Sequence, residues 1–463
     1  MNYFKEIFGH SKWTASAAVY SIFIQAGLYL FITRYISVED IGIYALASSF
    51  VFVGITILDS SFNSSLIHTD KPTSNDYQSV WALNTRTTFV LAAILLGLVL
   101  IFQWLSDKGN IFLPATALAP LLLLSAFNSV HFTGLKKNMR FKALGIIDIV
   151  STSIQFIAIL VLAFLDFGFW ALVIGLYIKY ILNAALLIGS KLTYCSLSLS
   201  LDRQYWVKHY TYGKYIISEK GLSSLLSYSD IFLIGHFLGY QQLGIYDILK
   251  KMVMRPILIL YSSIEQIIFP LLSNAKNKPE DYNKVFKEFC GFILILFFPA
   301  LMLIYAYGYF VLQLFPPPYS EQSILLGSIV LWACTMLFLN PIDIILYSLG
   351  RTRLFFKWFL STYIIQLVIM WLTVQIDLIL FIKSISLFNI ILWIISYKLI
   401  IKSSTALSAK SYFQIGISSL PLIMLFVVFY PISSPSIIQL VLASILIILF
   451  ITYHIRRIRL NNA

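Results

Sequence analysis

Long apolar runs follow one another along the chain with only short polar interruptions between them. Runs of about twenty apolar residues, coiled as helices, match the hydrocarbon thickness of a bilayer. Hydropathy and breaker residues place about fourteen of them, at 14–36, 41–58, 81–105, 113–134, 143–165, 168–189, 213–238, 243–272, 289–315, 323–349, 355–376, 378–398, 412–432 and 435–455. Each must be helical, because lipid offers no partner to a backbone N–H or C=O group. A membrane β-barrel would alternate apolar and polar residues over roughly ten-residue stretches, and this chain does not. The pattern predicts an all-α polytopic membrane protein.

The interruptions have an order of their own. With the N terminus inside, every connection after an even-numbered span is basic. Lys136, Lys137, Arg140 and Lys142 follow the fourth span, and Lys191, Arg203 and Lys208 the sixth. Lys276, Lys278, Lys284 and Lys287 follow the eighth, Arg351, Arg353 and Lys357 the tenth, and Lys398, Lys402 and Lys410 the twelfth; Arg456, Arg457 and Arg459 form the tail. The odd connections carry Glu39, Asp40, Asp107, Asp166, Glu321 and Asp377, with Lys108 as their cation. Lys and Arg stay on the cytoplasmic side, so both termini are expected there. The outer connections, about 4–10 residues each, are too short for a catalytic domain. The longest breaks, 59–80, 190–212 and 273–288, fall on the cytoplasmic side.

An internal duplication divides the chain. Ile41-Gly42-Ile43-Tyr44 opens the second span and Leu243-Gly244-Ile245-Tyr246 the eighth. A second correspondence pairs Gly134-Leu135-Lys136-Lys137, leading to Phe141-Lys142, with Gly350-Arg351-Thr352-Arg353, leading to Phe356-Lys357. The expected organisation is a six-helix lobe over 1–190, a cytoplasmic linker over 191–212 and a second six-helix lobe over 213–400. Two additional helices and a basic tail occupy 401–463. Six being even, the lobes share one orientation and are related by an axis along the membrane normal, as in transporters that work by alternating access.

Composition sharpens this picture by exclusion. Of 463 residues, 59% are hydrophobic and 11% charged, with a mean hydropathy of +0.85; a soluble domain averages roughly a quarter charged residues. A soluble enzyme and a secreted disulfide scaffold are excluded. The net charge of +13 belongs to the basic connections rather than to a nucleic-acid surface. Cys195, Cys290 and Cys334 are isolated, and the six histidines show no metal-ligand spacing; no cofactor is expected. The first apolar run has no small-residue cleavage site and reads as a retained anchor.

Charge inside a bilayer costs several kcal/mol unless paired or hydrated, and it marks function by default. It concentrates in the seventh span (Glu219, Lys220, Asp230) and the eighth (Asp247, Lys250, Lys251, Arg255, Glu265). On a helical wheel Asp247, Lys251 and Glu265 share nearly one line, with Lys250 and Arg255 inside an arc of about 140°. Such a face looks onto a wet cavity or a buried network. Asp230 matches Lys250 and Lys251 in depth, and Lys220 matches Glu265, so ion pairs that fix helix register are one reading. The other is a cationic site for an anionic group such as a pyrophosphate, built on Arg255, Lys251 and Lys250, with Lys220 and Lys179 as further contributors. Glu219, Asp230, Asp247 and Glu265 are candidates for ion coupling or pairing. Arg34, Arg86, Asp148, Asp343 and Lys383 sit near helix ends and read as snorkelling groups.

The run Gly134-Leu135-Lys136-Lys137-Asn138-Met139-Arg140-Phe141-Lys142, then Gly168-Phe169-Trp170-Ala171-Leu172-Val173, resembles the polysaccharide-transporter branch of the MOP superfamily. So do Tyr212-Gly213, Asp230-Ile231-Phe232-Leu233-Ile234-Gly235, Leu238-Gly239, Leu243-Gly244, Tyr246, Pro256 and Phe269-Pro270. The resemblance is to O-antigen, colanic-acid and teichuronic-acid exporters of the Wzx/WzxC kind. It implies a flippase for undecaprenyl-pyrophosphate-linked oligosaccharide in the bacterial cytoplasmic (inner) membrane, with two six-helix lobes around a cationic cavity and transport coupled to an ion gradient. A polysaccharide polymerase and a chain-length regulator are the implied partners, beside membrane lipid. A multidrug exporter of the same superfamily is disfavoured by Lys250, Lys251 and Arg255. A lipid-linked peptidoglycan-precursor flippase fits the charge but not the motifs. A membrane glycosyltransferase or polymerase needs larger outer loops.

Overall fold

The structure, a computed structural model, describes residues 2–105, 111–194, 202–405 and 407–417, together with 439, 444–450 and 452. All regular elements among the described residues are helical. The chain divides into two compact units, Met1–Asp247 and Ile248–Ala463.

The first unit contains α1 (Asn2–Tyr35), α2 (Val38–His68), α3 (Ser74–Leu105), α4 (Phe112–Leu118), α5 (Leu121–Lys137), α6 (Phe141–Phe164), α7 (Phe169–Gly189), α8 (Arg203–Ser227) and α9 (Ser229–Phe237), and the start of α10 (Tyr240–Ala275). Its core helix is α2, which packs against α3, α5 and α8. The sequence shows why: α2 is apolar or small on every side from Ile41 to Ile57, and a helix without a polar face is buried on all sides. Its start is set by Ser37, whose side chain accepts the Asp40 N–H at 3.0 Å, with Glu39 and Asp40 in the first turn against the helix dipole. A second group joins α1 to α6 and α6 to α7.

The second unit continues through α10 into α11 (Pro279–Leu312), α12 (Ser323–Ser348), α13 (Thr352–Val374) and α14 (Leu378–Ser396). A π turn at Tyr397–Ile401, the single turn α15 (Lys402–Ser404) and α16 (Ala409–Ile417) follow. Here α12 is the core helix, packed on α11 and α14. Pro279 stands at the first turn of α11, where its missing N–H costs nothing, and Asp377 caps α14 by accepting from the Ile379 and Leu380 N–H groups.

Ten of these helices are long and apolar enough to cross a membrane; the protein is a multi-pass membrane protein. The expected fourteen spans are not all met among the described residues. The thirteenth and fourteenth lie, apart from 412–417 and 444–450, outside them. The seventh is two helices, α8 and α9, broken at Tyr228, and α8 carries too many charges to count as an apolar span. The fourth, Phe112–Lys137, is among the ten, with a break before Leu121 where Pro120 precedes α5.

Two expectations need correction. The breaks 59–80 and 273–288 shrink to 69–73 and 276–278, because α2 runs about three turns past its apolar window, α3 and α11 begin about two and three turns before theirs, and α10 runs less than one turn past its own. Polar residues form helix as readily as apolar ones, so hydropathy marks the bilayer and not the helix end. The pairing of Gly134 with Gly350 also fails. Gly350 ends α12 in the left-handed region (φ +70°), with Arg351 N–H bonded to the Leu346 carbonyl. The residue doing this at the end of α5 is Met139 (φ +55°), with Arg140 N–H on Leu135. Gly134 lies inside α5, packed under the Tyr194 ring.

Candidate functional site

The cations of α10 begin with Lys250, half-buried, whose Nζ lies 5.4 Å from the centre of the Trp332 ring on α12. An ammonium over an indole face is stabilised by the ring quadrupole. Lys251 is half-buried, and Arg255, one turn on, is exposed. Arg255 lies about 22 Å along the helix from Tyr240, too deep to reach an interface easily. Pro256 follows it inside the helix, leaving a backbone carbonyl on the previous turn without its helical donor.

The acidic candidates separate. Asp230, 2% exposed, accepts a hydrogen bond from the Tyr246 hydroxyl, and Asp247, 1% exposed, is the next residue along. Lys220 pairs with its neighbour Glu219 at 3.3 Å, both about one-third exposed. Glu265 is half-buried in the second unit, within electrostatic reach of Tyr261 on its own helix and of Asp343 on α12.

Lys179, expected to add to the cationic site, is in an ion pair. Its Nζ donates to Asp148 Oδ1 at 3.0 Å and to Thr152 Oγ1 at 2.9 Å. Asp148 is therefore not a snorkelling group: its other oxygen accepts from the Ser21 hydroxyl of α1 at 3.3 Å.

A second polar centre had no counterpart in the sequence reading. His209 of α8, with no exposed surface, has Nε2 at 3.0 Å from Asp76 Oδ1 and Nδ1 at 2.6 Å from Ser65 Oγ. The carboxylate only accepts, so Nε2 carries a proton, while the Ser65 hydroxyl lies between His209 Nδ1 at 2.6 Å and the Phe62 carbonyl at 2.5 Å. Lys208 Nζ donates to the same Asp76 oxygen at 2.9 Å, and the Thr73 N–H and hydroxyl donate to the other, each at 2.8 Å. Burial pushes the His209 imidazolium down from its ordinary range, against the opposing pull of Asp76. The one signal for this centre was Thr73-x-x-Asp76 at a helix start; the His209 contact spans too much sequence to be read.

Residues 31–316 match the model of a family described as "Polysaccharide biosynthesis protein". The teichuronic acid biosynthesis protein TuaB of Bacillus subtilis (strain 168) is 22% identical over 372 residues, 76% of this chain and 74% of that protein. The amylovoran biosynthesis protein AmsL of Erwinia amylovora is 22% identical over 341 residues, 70% of this chain and 85% of that protein. Among solved structures, the lipid II flippase MurJ in an inward closed conformation superposes with a TM-score of 0.69 at 13% identity, covering 96% of this chain and 98% of that one. An inward-facing MATE-family multidrug resistance transporter of the MOP superfamily gives 0.55 at 13%, covering 88% and 95%. The fold is that of MOP-superfamily transporters.

Proposed function

Because the chain belongs to the polysaccharide biosynthesis protein family, we propose that it is a flippase that carries an undecaprenyl-pyrophosphate-linked oligosaccharide, the repeat unit of an O-antigen or another surface polysaccharide, across the bacterial cytoplasmic membrane. The protein moves its substrate and does no chemistry on it. Transport is by alternating access, the lipid tail staying in the bilayer while the headgroup passes through water. The repeat unit it delivers would be taken up by a polysaccharide polymerase under a chain-length regulator.

The observation that carries this reading is the cationic stretch of α10. Lys250, Lys251 and Arg255 sit at mid-helix depth, and Arg255 is exposed there. A guanidinium open to hydrocarbon would cost several kcal/mol, so an exposed Arg255 implies water and a use for the charge. Ammonium and guanidinium groups are the usual partners of phosphate oxygens. A carrier of cationic drugs would place acids there instead.

The test is export by a strain lacking its own copy of the gene. Arg255→Ala and Lys251→Ala are expected to abolish surface polysaccharide while immunoblots of the membrane fraction stay unchanged. Wild-type export from both variants would sink the cationic site, and export that never depended on the gene would sink the flippase reading.

A further inference from the structure

We propose that Trp332 of α12 is the platform for the first sugar of the cargo: the pyrophosphate draws the Lys250 ammonium off the indole, and the pyranose joined to that pyrophosphate stacks on the uncovered ring. The inference rests on the flippase reading above and names the part of the cargo that the second unit recognises.

The position of Trp332 is the first reason. The chain has nine tryptophans, and eight of them stand outside the apolar runs or within five residues of the end of one. That is the place an amphipathic indole takes at a membrane interface. Trp332 is nine residues past Ser323, the first residue of α12, and sixteen before Ser348, the last. It sits about 14 Å inside the helix, away from either interface.

The face it belongs to is the second. From Leu325 to Ser348 every residue of α12 is buried except Leu331, Phe338 and six others. Phe338 is packed on the rings of Phe298 and Trp393. The six, Trp332, Met336, Leu339, Asn340, Asp343 and Tyr347, fall within an arc of about 100°. Four of them carry a hydrogen-bonding group. The open faces of the neighbouring helices are different in kind: α13 exposes Ile364, Ile365 and Val368, and α14 exposes Leu387, Ile391 and Ile394. Those faces suit lipid. An arc with Asn, Asp, Trp and Tyr does not, because hydrocarbon offers their polar groups no partner.

Helix α10 follows this arc. Lys250 Nζ lies 5.4 Å from the centre of the Trp332 ring. Eleven residues further along each helix, Tyr261 of α10 is within electrostatic reach of Asp343, as is Glu265 one turn beyond it. Two contacts separated by the same number of turns mean that the helices run side by side in one direction. The cations of α10 therefore border the aromatic and polar arc of α12 within one unit.

The chemistry of the cargo matches this order. In a sugar joined to a lipid pyrophosphate, the first ring is bonded directly to a phosphate oxygen, so a phosphate held by Lys250 brings that ring beside Trp332. One side of a pyranose presents C–H bonds of slight positive charge, and the indole face is negative. The same quadrupole holds the ammonium in the empty protein, so sugar and ammonium compete for one surface. Lysine yields it readily, since its charge rides on a flexible four-carbon stem and gains a stronger partner in a phosphate oxygen. Farther along the arc, about 12 and 17 Å from Trp332, Asn340 and Asp343 present the donor and acceptor groups that sugar hydroxyls need.

The experiment compares the binding of two lipids to the purified full-length protein in detergent: undecaprenyl pyrophosphate, and the same lipid carrying one N-acetylglucosamine. The wild type should bind the second about tenfold more tightly, the gain of one good aromatic stacking contact. Trp332→Ala should bind the two alike. Trp332→Phe keeps a ring face and should retain most of the preference, which separates loss of the platform from misfolding. Lys250→Ala should weaken both lipids and keep the preference, because its ring is already uncovered. Trp371→Ala, which removes an indole near the end of α13, should behave as wild type. A preference that survives Trp332→Ala, or that vanishes in Trp332→Phe, Lys250→Ala or Trp371→Ala, overturns the platform. Equal binding of the two lipids by the wild type overturns it and leaves the pyrophosphate site standing. A wild type that binds neither lipid overturns it together with the flippase reading.

Discussion

His209 is completely buried, and both of its ring nitrogens are engaged, one by a carboxylate and one by a hydroxyl. Such a residue ties three chain segments, since Ser65 is near the end of α2 and Asp76 near the start of α3. A hydrogen bond to a charged group contributes about 1.5–3 kcal/mol, so His209→Leu should cost about 2 kcal/mol of stability, read as a lowered melting temperature in detergent. The pH dependence has a definite sign. Burial depresses the folded-state pKa of His209 below its ordinary 6.5, so the unfolded chain takes up the proton more readily. The stability present above that value is therefore lost as pH falls through it. His209→Gln, which keeps a donor to Asp76 but does not titrate, should flatten the melting temperature between about pH 7 and 5. An unchanged slope in that variant would assign the acid sensitivity to another group.

At the scale of elements, the duplicated Gly-Ile-Tyr motif shows what a repeat in sequence becomes in space. A Cβ on Gly42 would collide with the carbonyl of Tyr240, and a Cβ on Gly244 with the carbonyl of Val38. Val38 and Tyr240 each stand four residues before the glycine of their own repeat, so the two contacts exchange under the duplication. The starts of α2 and α10 therefore cross with backbone against backbone, and only glycine allows it. Because a carbonyl has no rotamer to yield, Gly42→Ala or Gly244→Ala should cost close to 3 kcal/mol, the upper end for overpacking. A melting temperature within a degree of wild type in either variant would show that the helices part without cost. This motif was legible in the sequence because both copies keep the glycine. The second correspondence misled because a helix stop needs left-handed backbone, which Gly350 supplies cheaply and Met139 supplies without a glycine to advertise it. Helix ends were illegible for a related reason: α2 continues to His68, and α11 already coils through turns that carry Lys284 and Lys287, as propensity and not hydropathy decides where coiling stops.

For the whole molecule, the all-α class and the multi-pass character were open to reading because they follow from uninterrupted apolar length, a property of consecutive residues. That Lys250, Lys251 and Arg255 stand on one continuous helix was legible for the same reason, since it depends on consecutive residues alone. What lay hidden were partners brought from other helices: Asp148 for Lys179, Asp76 for His209, Trp332 for Lys250. The distribution of basic connections is a whole-chain property too, and it makes the last prediction. Asp166 and Glu321 belong to acidic connections, Lys278 and Arg351 to basic ones, and all four are exposed. Cations resist translocation, so the basic set is expected on the cytoplasmic side and the acidic set outside. In a background with the three native cysteines replaced, Asp166→Cys and Glu321→Cys should react with a membrane-impermeant maleimide in intact cells. Lys278→Cys and Arg351→Cys should react only after the membrane is opened. Because 166 and 278 lie in the two different units, agreement at both places would exclude an odd miscount of spans between them. Reversed labelling at one pair alone would locate the miscount between the positions that disagree, and reversal at all four would turn the whole chain over and put the cationic stretch of α10 in the opposite sense to the lipid carrier it is proposed to meet.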